Sequence, residues 1–378
     1  MTILSKTWRQ AWLTLPNIKF RVEKYYEDED KDEDEDEGEG KKIVDTIMQR
    51  YRDGKIPIDK FELTNCLRDS SSKFSNRMKK LIDIAIRNGV KDIVYGSPYH
   101  NISSYHFPII KVLAEKHLRE LVLNNCSIDT SLSGGAANYH SLRKLSLSNV
   151  CLSENMLQDL LNSCPLIVSL ILESVLGLDK IEAPTLKHLS FSNYSYLDLD
   201  VVECQNLKSL ELNKVETSHE FLNLISKSQS LEVLKIQNCS DIKDINTSNL
   251  EVLNIQNCSG IKDIDISNVK VLKLQNCSDI KDIDTSKLKV LKIVNCSGIR
   301  DIASSNLVSL EYIGDQIPQL KRTISIGFYK FDDINIKRMK LRQKVATPKV
   351  DILNVEFLRE ECPKFVDALL WSCHPRRL

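Results

Sequence analysis

From position 231 onward, leucine, isoleucine and valine return at the same places in every nineteen residues. The successive stretches read LEVLKIQNCSDIKDINTSN, LEVLNIQNCSGIKDIDISN, VKVLKLQNCSDIKDIDTSK and LKVLKIVNCSGIRDIASSN, with Cys239, Cys258, Cys277 and Cys296 at a strict interval. Apolar residues hold the first, fourth and sixth positions of each stretch, and the fourth to seventh alternate inward and outward. Such alternation marks a strand with one buried face. Leu231, Leu234 and Ile236 therefore point to a core, and Val233, Lys235 and Gln237 point away from it. Looser copies extend the pattern upstream, giving unit starts at 118, 142, 167, 186, 207, 231, 250, 269, 288 and 307.

Unit lengths fall into a long class of 24 or 25 residues and a short class of 19 to 21. In two long units a short helix fills the extra length. Ser153 caps one, with Met156, Leu157, Leu160 and Leu161 on its apolar face and Cys164-Pro165 closing it. Thr217 and Glu220 form a capping box ahead of Phe221, Leu222, Leu224 and Ile225. The long unit from Leu118 carries LSGGAAN and reads as a loop. The nineteen-residue units leave no room for a helix, so Ile242/Ile245, Ile261/Ile264, Ile280/Ile283 and Ile299/Ile302 turn inward on a short extended or 3₁₀ return. The repeated L-x-x-L-x-L-x-x-N/C is the leucine-rich-repeat pattern. It predicts an α/β repeat fold: a leucine-rich-repeat solenoid with a parallel β ladder on the concave face. Short helices or extended returns line the convex face, and a helical cap closes the N-terminal end. One coil cannot bury its apolar face alone, so the coils must stack.

Before the array, Ile43, Val44, Ile47, Met48 and Tyr51 share one helical face, as do Met78, Leu81, Ile82, Ala85 and Ile86, with Gly89 as a stop. Ile58, Phe61 and Leu63 between them read as a strand. Residues 41–117 thus form the expected N-terminal cap and irregular first repeats, and 118–320 the solenoid, regular over 231–306. Residues 321–378 are expected to form a C-terminal cap, with an amphipathic stretch from Ile352 to Trp371 broken by Pro363.

Charge and composition narrow the function. The 378 residues carry 52 basic and 52 acidic side chains, but residues 27–39 hold eleven acids and one lysine. That tract reads as a disordered acidic linker over 27–40. Asp32, Asp34 and Asp36 alternate as in a calcium loop, yet Glu37 and Ile43 stand where such a loop needs Gly and Glu. No apolar run approaches the ~20 residues of a membrane span. The eleven cysteines include no C-x-x-C pair, which points to reduced thiols in cytoplasm or nucleus. Nucleic acid is not an expected partner, because aromatics make up 6% of the chain and the regular block has none before Tyr312.

Candidate sites follow from the outward positions. The concave face presents Val233, Lys235 and Gln237; Val252, Asn254 and Gln256; Val271, Lys273 and Gln275; and Val290, Lys292 and Val294. An apolar stripe with polar flanks suits a protein substrate; equally, valine there satisfies packing between neighbouring strands. The cysteine column runs in a line, whereas zinc needs four converging ligands, so buried thiols serving turn backbone groups are expected and no metal or cofactor is. Lys243-Asp244, Lys262-Asp263, Lys281-Asp282 and Arg300-Asp301 read as exposed charge ladders. The seven histidines show no motif spacing with Cys or Ser, and neither G-x-S-x-G nor G-x-x-x-x-G-K-[ST] occurs. An enzyme is not expected.

The opening segment LSKTWRQAWLTLPNIKF, with the blocks IPIDKFELTNC, RNGVKDIVY and VEFLREECPKFVDALLWSCHP, resembles the plant F-box/leucine-rich-repeat family of the FBD type. The resemblance covers essentially the whole chain except the acidic tract. Leu4, Ser5, Lys6, Trp8, Arg9, Trp12, Leu15, Pro16 and Phe20 match the tail of that family's F-box. Met1 stands three residues before Leu4, so the resemblance yields an F-box remnant over 1–20, truncated on its N-terminal side. It implies the substrate-recognition component of an SCF-type ubiquitin ligase, whose F-box holds a Skp-type adaptor and whose repeats hold the substrate. The alternative is a stand-alone interaction protein that no longer recruits the ligase because the F-box is incomplete.

Overall fold

The computed structural model describes residues 14–22, 33–65, 72–97, 103–128, 139–150, 152, 154–175, 181–193, 196–197, 204–217, 230–239, 244–245, 249–260, 263–264, 266–278, 280, 282–285, 287–299, 301–303, 309–313, 319–320 and 327–329. It divides into two units, Met1–Lys187 and His188–Leu378.

The first unit is built on a parallel ladder of the strands Asn17–Val22, Lys60–Asn65, Asp92–Gly96, Glu120–Asn124, Lys144–Ser148 and Ser169–Glu173, in that order. The ladder therefore begins a hundred residues before the expected solenoid start at 118. Residues 17–20, expected within the F-box remnant, form its first strand. The physical reason is a backbone pattern that repeats from coil to coil. Pro16 carbonyl accepts from the amides of Asp59 (2.7 Å) and Lys60 (3.2 Å), just as Asp59 carbonyl accepts from Lys91 and Asp92, and Lys91 carbonyl from Arg119 and Glu120. Pro16 stands just ahead of the strand Asn17–Val22, a position at a strand's start that tolerates its missing N–H. Alternation also marks this strand, since Ile18 is buried and Phe20 meets Phe61 edge-on at 6.3 Å between centroids.

Helices cover the returns of this unit. Glu33–Gly54 is one helix, so residues 33–40 of the tract expected to be disordered are helical, while 27–32 lie outside the described residues. Carboxylates are favoured at the positive end of the helix dipole, and the tract runs directly into an amphipathic segment that anchors it. Val44, Met48 and Tyr51 are buried as expected; Ile43, at 55% exposed, is not. In helix Ser72–Arg87, Met78, Leu81, Ile82, Ile84 and Ala85 pack inward, and Ile86 is half-buried. Gly89 ends that turn with φ 72°, a left-handed conformation that glycine adopts freely. Asn88 then pins both helix ends, its Nδ2 donating to Tyr51 and Ile56 carbonyls at 2.8 and 2.6 Å. The helix expected after Ser153 is present as Glu154–Ser163, with Leu157, Leu160 and Leu161 buried. The LSGGAAN stretch, and the helix expected from Phe221, lie outside the described residues.

The second unit carries the strands His188–Ser192, Ser209–Asn213, Val233–Gln237, Val252–Gln256, Val271–Gln275, Val290–Val294, Ser309–Ile313 and Gly327–Tyr329, all parallel. Apart from Gly327–Tyr329, the region expected as C-terminal cap lies outside the described residues. Register is kept without a slip: Leu234 aligns with Leu253, Leu272 and Leu291, and Ile236 with Ile255, Leu274 and Ile293. These eight side chains are at most 1% exposed. Each such burial contributes roughly 1.5–3 kcal/mol relative to exposure. The returns are extended: Asp244–Ile245 pairs with Asp263–Ile264, and Asp282–Asp284 with Asp301–Ala303, turning Ile245, Ile283 and Ile302 into the core.

After each strand of the regular block the chain must turn sharply inward, and an asparagine does it, as Lys214 does after Ser209–Asn213 with φ 56°. Asn238, Asn257, Asn276 and Asn295 have φ between 50° and 52°. Asparagine tolerates this left-handed conformation better than other non-glycine residues. The turn aims its amide at the next coil, so Asn257 N–H donates to Gln275 carbonyl at 2.8 Å. The side chains form a ladder too: Asn276 Nδ2 donates to Asn257 Oδ1, and Asn257 Nδ2 to Asn238 Oδ1, both at 2.7 Å. Asn257→Ala is therefore expected to lower the unfolding free energy by about 1–2 kcal/mol. Asn257→Gly removes the amide bonds but keeps the turn, and should cost less. Urea denaturation of both variants checks the order.

Candidate functional site

On the open face of the second ladder the outward residues fall into three rows. Val233, Val252, Val271 and Val290 are in register, each half-buried. Beside them run Lys235, Asn254, Lys273 and Lys292, then Gln237, Gln256, Gln275 and Val294. Lys273 is exposed; the other members are half-buried between their neighbours. All twelve expected residues thus share one surface.

Charge along it is uneven. Lys235 Nζ pairs with Glu211 Oε2 at 3.3 Å, and Lys292 Nζ with Glu311 Oε1 at 2.8 Å. At the strand starts, Lys208 pairs with Glu232 at 2.6 Å, and Lys270 pairs with Glu251. Among the described residues, Lys273 and Lys289 have no carboxylate partner. Sequence reasoning did not single out Glu211 and Glu311, although each occupies the fifth position of its unit, the lysine row's own column. The charge ladders expected at Lys243, Lys262, Lys281 and Arg300 lie outside the described residues.

At the C-terminal ends of the strands, successive Asn-Cys-Ser turns at 257–259 and 276–278, with Asn295 and Ser297, line a shallow open groove of about 430 Å³. Cys258 and Cys277 of the cysteine column line it. Cys239, Cys258, Cys277 and Cys296 are buried and unbridged. Each thiol serves the backbone: Cys258 Sγ donates to Gln256 carbonyl at 3.1 Å, and Cys277 Sγ to Gln275 carbonyl at 3.2 Å. Burial pushes the thiols of Cys126, Cys164 and Cys258 up to about 12, and Cys239 upward as well. Cys296 is pushed up first by its side-chain hydrogen bond with Cys277 and then by burial. The column cannot gather ligands around one point, and among the described residues no three His, Cys, Asp or Glu converge on a metal position. Among them, too, no helix is long and apolar enough to cross a membrane.

Of the F-box-like residues, Leu4, Ser5, Lys6, Trp8, Arg9 and Trp12 lie outside the described residues. Leu15 is 47% exposed, and its carbonyl accepts from Tyr51 Oη at 2.7 Å. Together with the Pro16 bonds, this ties the segment to the first coil.

Residues 78–212 match the LRR repeats of FBD-associated F-box protein At5g56370, and residues 178–275 match the LRR domain of At1g61320/AtMIF1. No curated protein matches the chain significantly. An internalin, InlF of Listeria monocytogenes, is similar in structure with a TM-score of 0.37 and 14% identity, over 80% of this chain and 81% of that one. The stacked coils, with the repeat matches over 78–212 and 178–275, make this a leucine-rich-repeat solenoid, a class of protein-interaction modules. More narrowly, residues 78–212 resemble the repeats of an FBD-associated F-box protein.

Raised thiols have a signed consequence. The native state keeps its protons where the unfolded chain, with thiols near the ordinary 9.0, has lost them. The stabilisation is complete below that value and declines as pH climbs from 9 towards 12. The Cys126→Ala/Cys164→Ala double variant should show a shallower alkaline decline in unfolding free energy, read by urea titrations at stepped pH.

Proposed function

We propose that the open face of the second ladder captures a protein, and that the chain acts as the substrate-recognition part of an SCF-type ubiquitin ligase. The carrying observation is the run of Val233, Val252, Val271 and Val290, in register and only half-buried. Apolar area of this kind gives affinity, and polar rows on one side give register. Strand packing alone is satisfied by the buried face, where the leucines and isoleucines lie. The ligase half of the reading is supported by the F-box-like opening segment and by the match to the repeats of an FBD-associated F-box protein. The reading is non-catalytic and belongs to cytoplasm or nucleus, where a column of reduced thiols persists.

A second reading, a stand-alone binder without ligase recruitment, draws on one observation. Pro16 and the strand Asn17–Val22 are committed to stacking on the next coil, so part of the F-box-like match is occupied in holding repeats. A pull-down with a Skp-type adaptor separates the two, run beside a version fused to an adaptor-binding F-box as a control. The first reading expects both to bind; capture by the fused version alone would establish the second. For the binding face, Val252→Glu combined with Val271→Glu is expected to abolish partner capture with circular dichroism and melting unchanged. Undiminished capture would remove this face from consideration.

A further inference from the structure

The valine face leaves open what kind of partner it holds, and both its spacing and its charge narrow the choice. Neighbouring strands sit ~4.8 Å apart, so Val252, Val271 and Val290 recur at about that interval across the sheet. An extended chain laid across them would place same-side residues about 6.6–6.8 Å apart and lose step within two strands. An α-helix rises ~5.4 Å per turn, so side chains three or four residues apart stay close to the valines over three strands. Its diameter of about 10–12 Å also matches the valine row together with the lysine row beside it.

Charge then sets the sign. The outer lysines of the row, Lys235 and Lys292, are already neutralised by Glu211 and Glu311. The centre is not: Lys273 has Val271 and Gln275 beside it on its own strand and no carboxylate partner, and at the start of the next strand Lys289 likewise has none among the described residues, with no acid on those two strands. Bare cations beside an apolar stripe favour carboxylates, and no aromatic side chain stands on these strands to stack a base.

We propose that the occupant is an acidic amphipathic helix of a partner protein, lying across the strands with its apolar stripe on Val252, Val271 and Val290 and its carboxylates against Lys273 and Lys289. This rests on the protein-capture reading of the same face.

The test pans a displayed library of helical peptides against the full chain. The peptides share a leucine stripe at three-to-four spacing and vary in charge beside it. Enriched peptides should be acidic, and Lys273→Glu with Lys289→Glu should cut their binding about tenfold while circular dichroism stays unchanged. Neutral or basic peptides enriched equally would overturn the inference while leaving the face in use, provided Val252→Glu with Val271→Glu still blocks them. Acidic peptides whose binding ignores the two lysines would overturn it too. Peptides whose binding ignores the valine pair, or no enrichment at all, would defeat the protein-capture reading along with it.

Discussion

Within each unit, the described coils hang on a recurring inter-coil backbone bond. In the second unit, Glu232 carbonyl accepts from the amides of Glu251 and Val252, Glu251 carbonyl from those of Lys270 and Val271, and Lys270 carbonyl from those of Lys289 and Val290. Such a bond can recur only if each coil returns to the same height and phase after its convex excursion. A strand slipped by one residue would turn its buried face outward. Return length may therefore change, by a helix such as Glu154–Ser163 or by an extended return such as Asp263–Ile264, but phase may not. The buried thiols, the left-handed asparagines and the row of outward valines all follow from that one condition.

That condition also decides what could be read from the chain. Positions that repeat in phase were legible: the leucine and isoleucine columns, the inward returns at Ile245, Ile283 and Ile302, and the cysteine column all lie where periodicity puts them. The upstream coils were harder, because their spacing is irregular and helices intervene: Lys60–Asn65 was legible as a strand of the cap and irregular first repeats, while Asn17–Val22 and Asp92–Gly96 were not singled out as strands. Alternation was present in NIKFRV, with Ile18 and Phe20 inward, but a match to a different domain competed for the same residues. The acidic tract misled for another reason. Composition argued for disorder, while the helix that follows extends back through residues 33–40.

The candidate face illustrates a different boundary. Which residues share it was readable from phase alone, since all twelve sit at outward positions. How its charge is distributed was not, because Lys235 and Lys292 pair with glutamates in coils outside the regular block. Only the pairing of neighbours shows that Lys273, within the row, and Lys289, at a strand start, are the cations without a carboxylate partner among the described residues. The surface is thus more specific than its composition: a neutral chain carries a locally basic, partly apolar patch on one sheet.

Phase is also the quantity most directly put to the test. Residues 250–268 make one nineteen-residue unit, and their excision leaves Leu231–Asn249 followed by Val269 in the position Leu250 held. If stacking in phase is what holds the array, this deletion should keep its β circular dichroism and melt cooperatively. Deleting Lys273 alone, from within the strand Val271–Gln275, should cost that cooperativity and lower the melting point, because Leu274 then falls on the outward phase. Equal behaviour of the two deletions, whether both folded or both collapsed, would contradict the account.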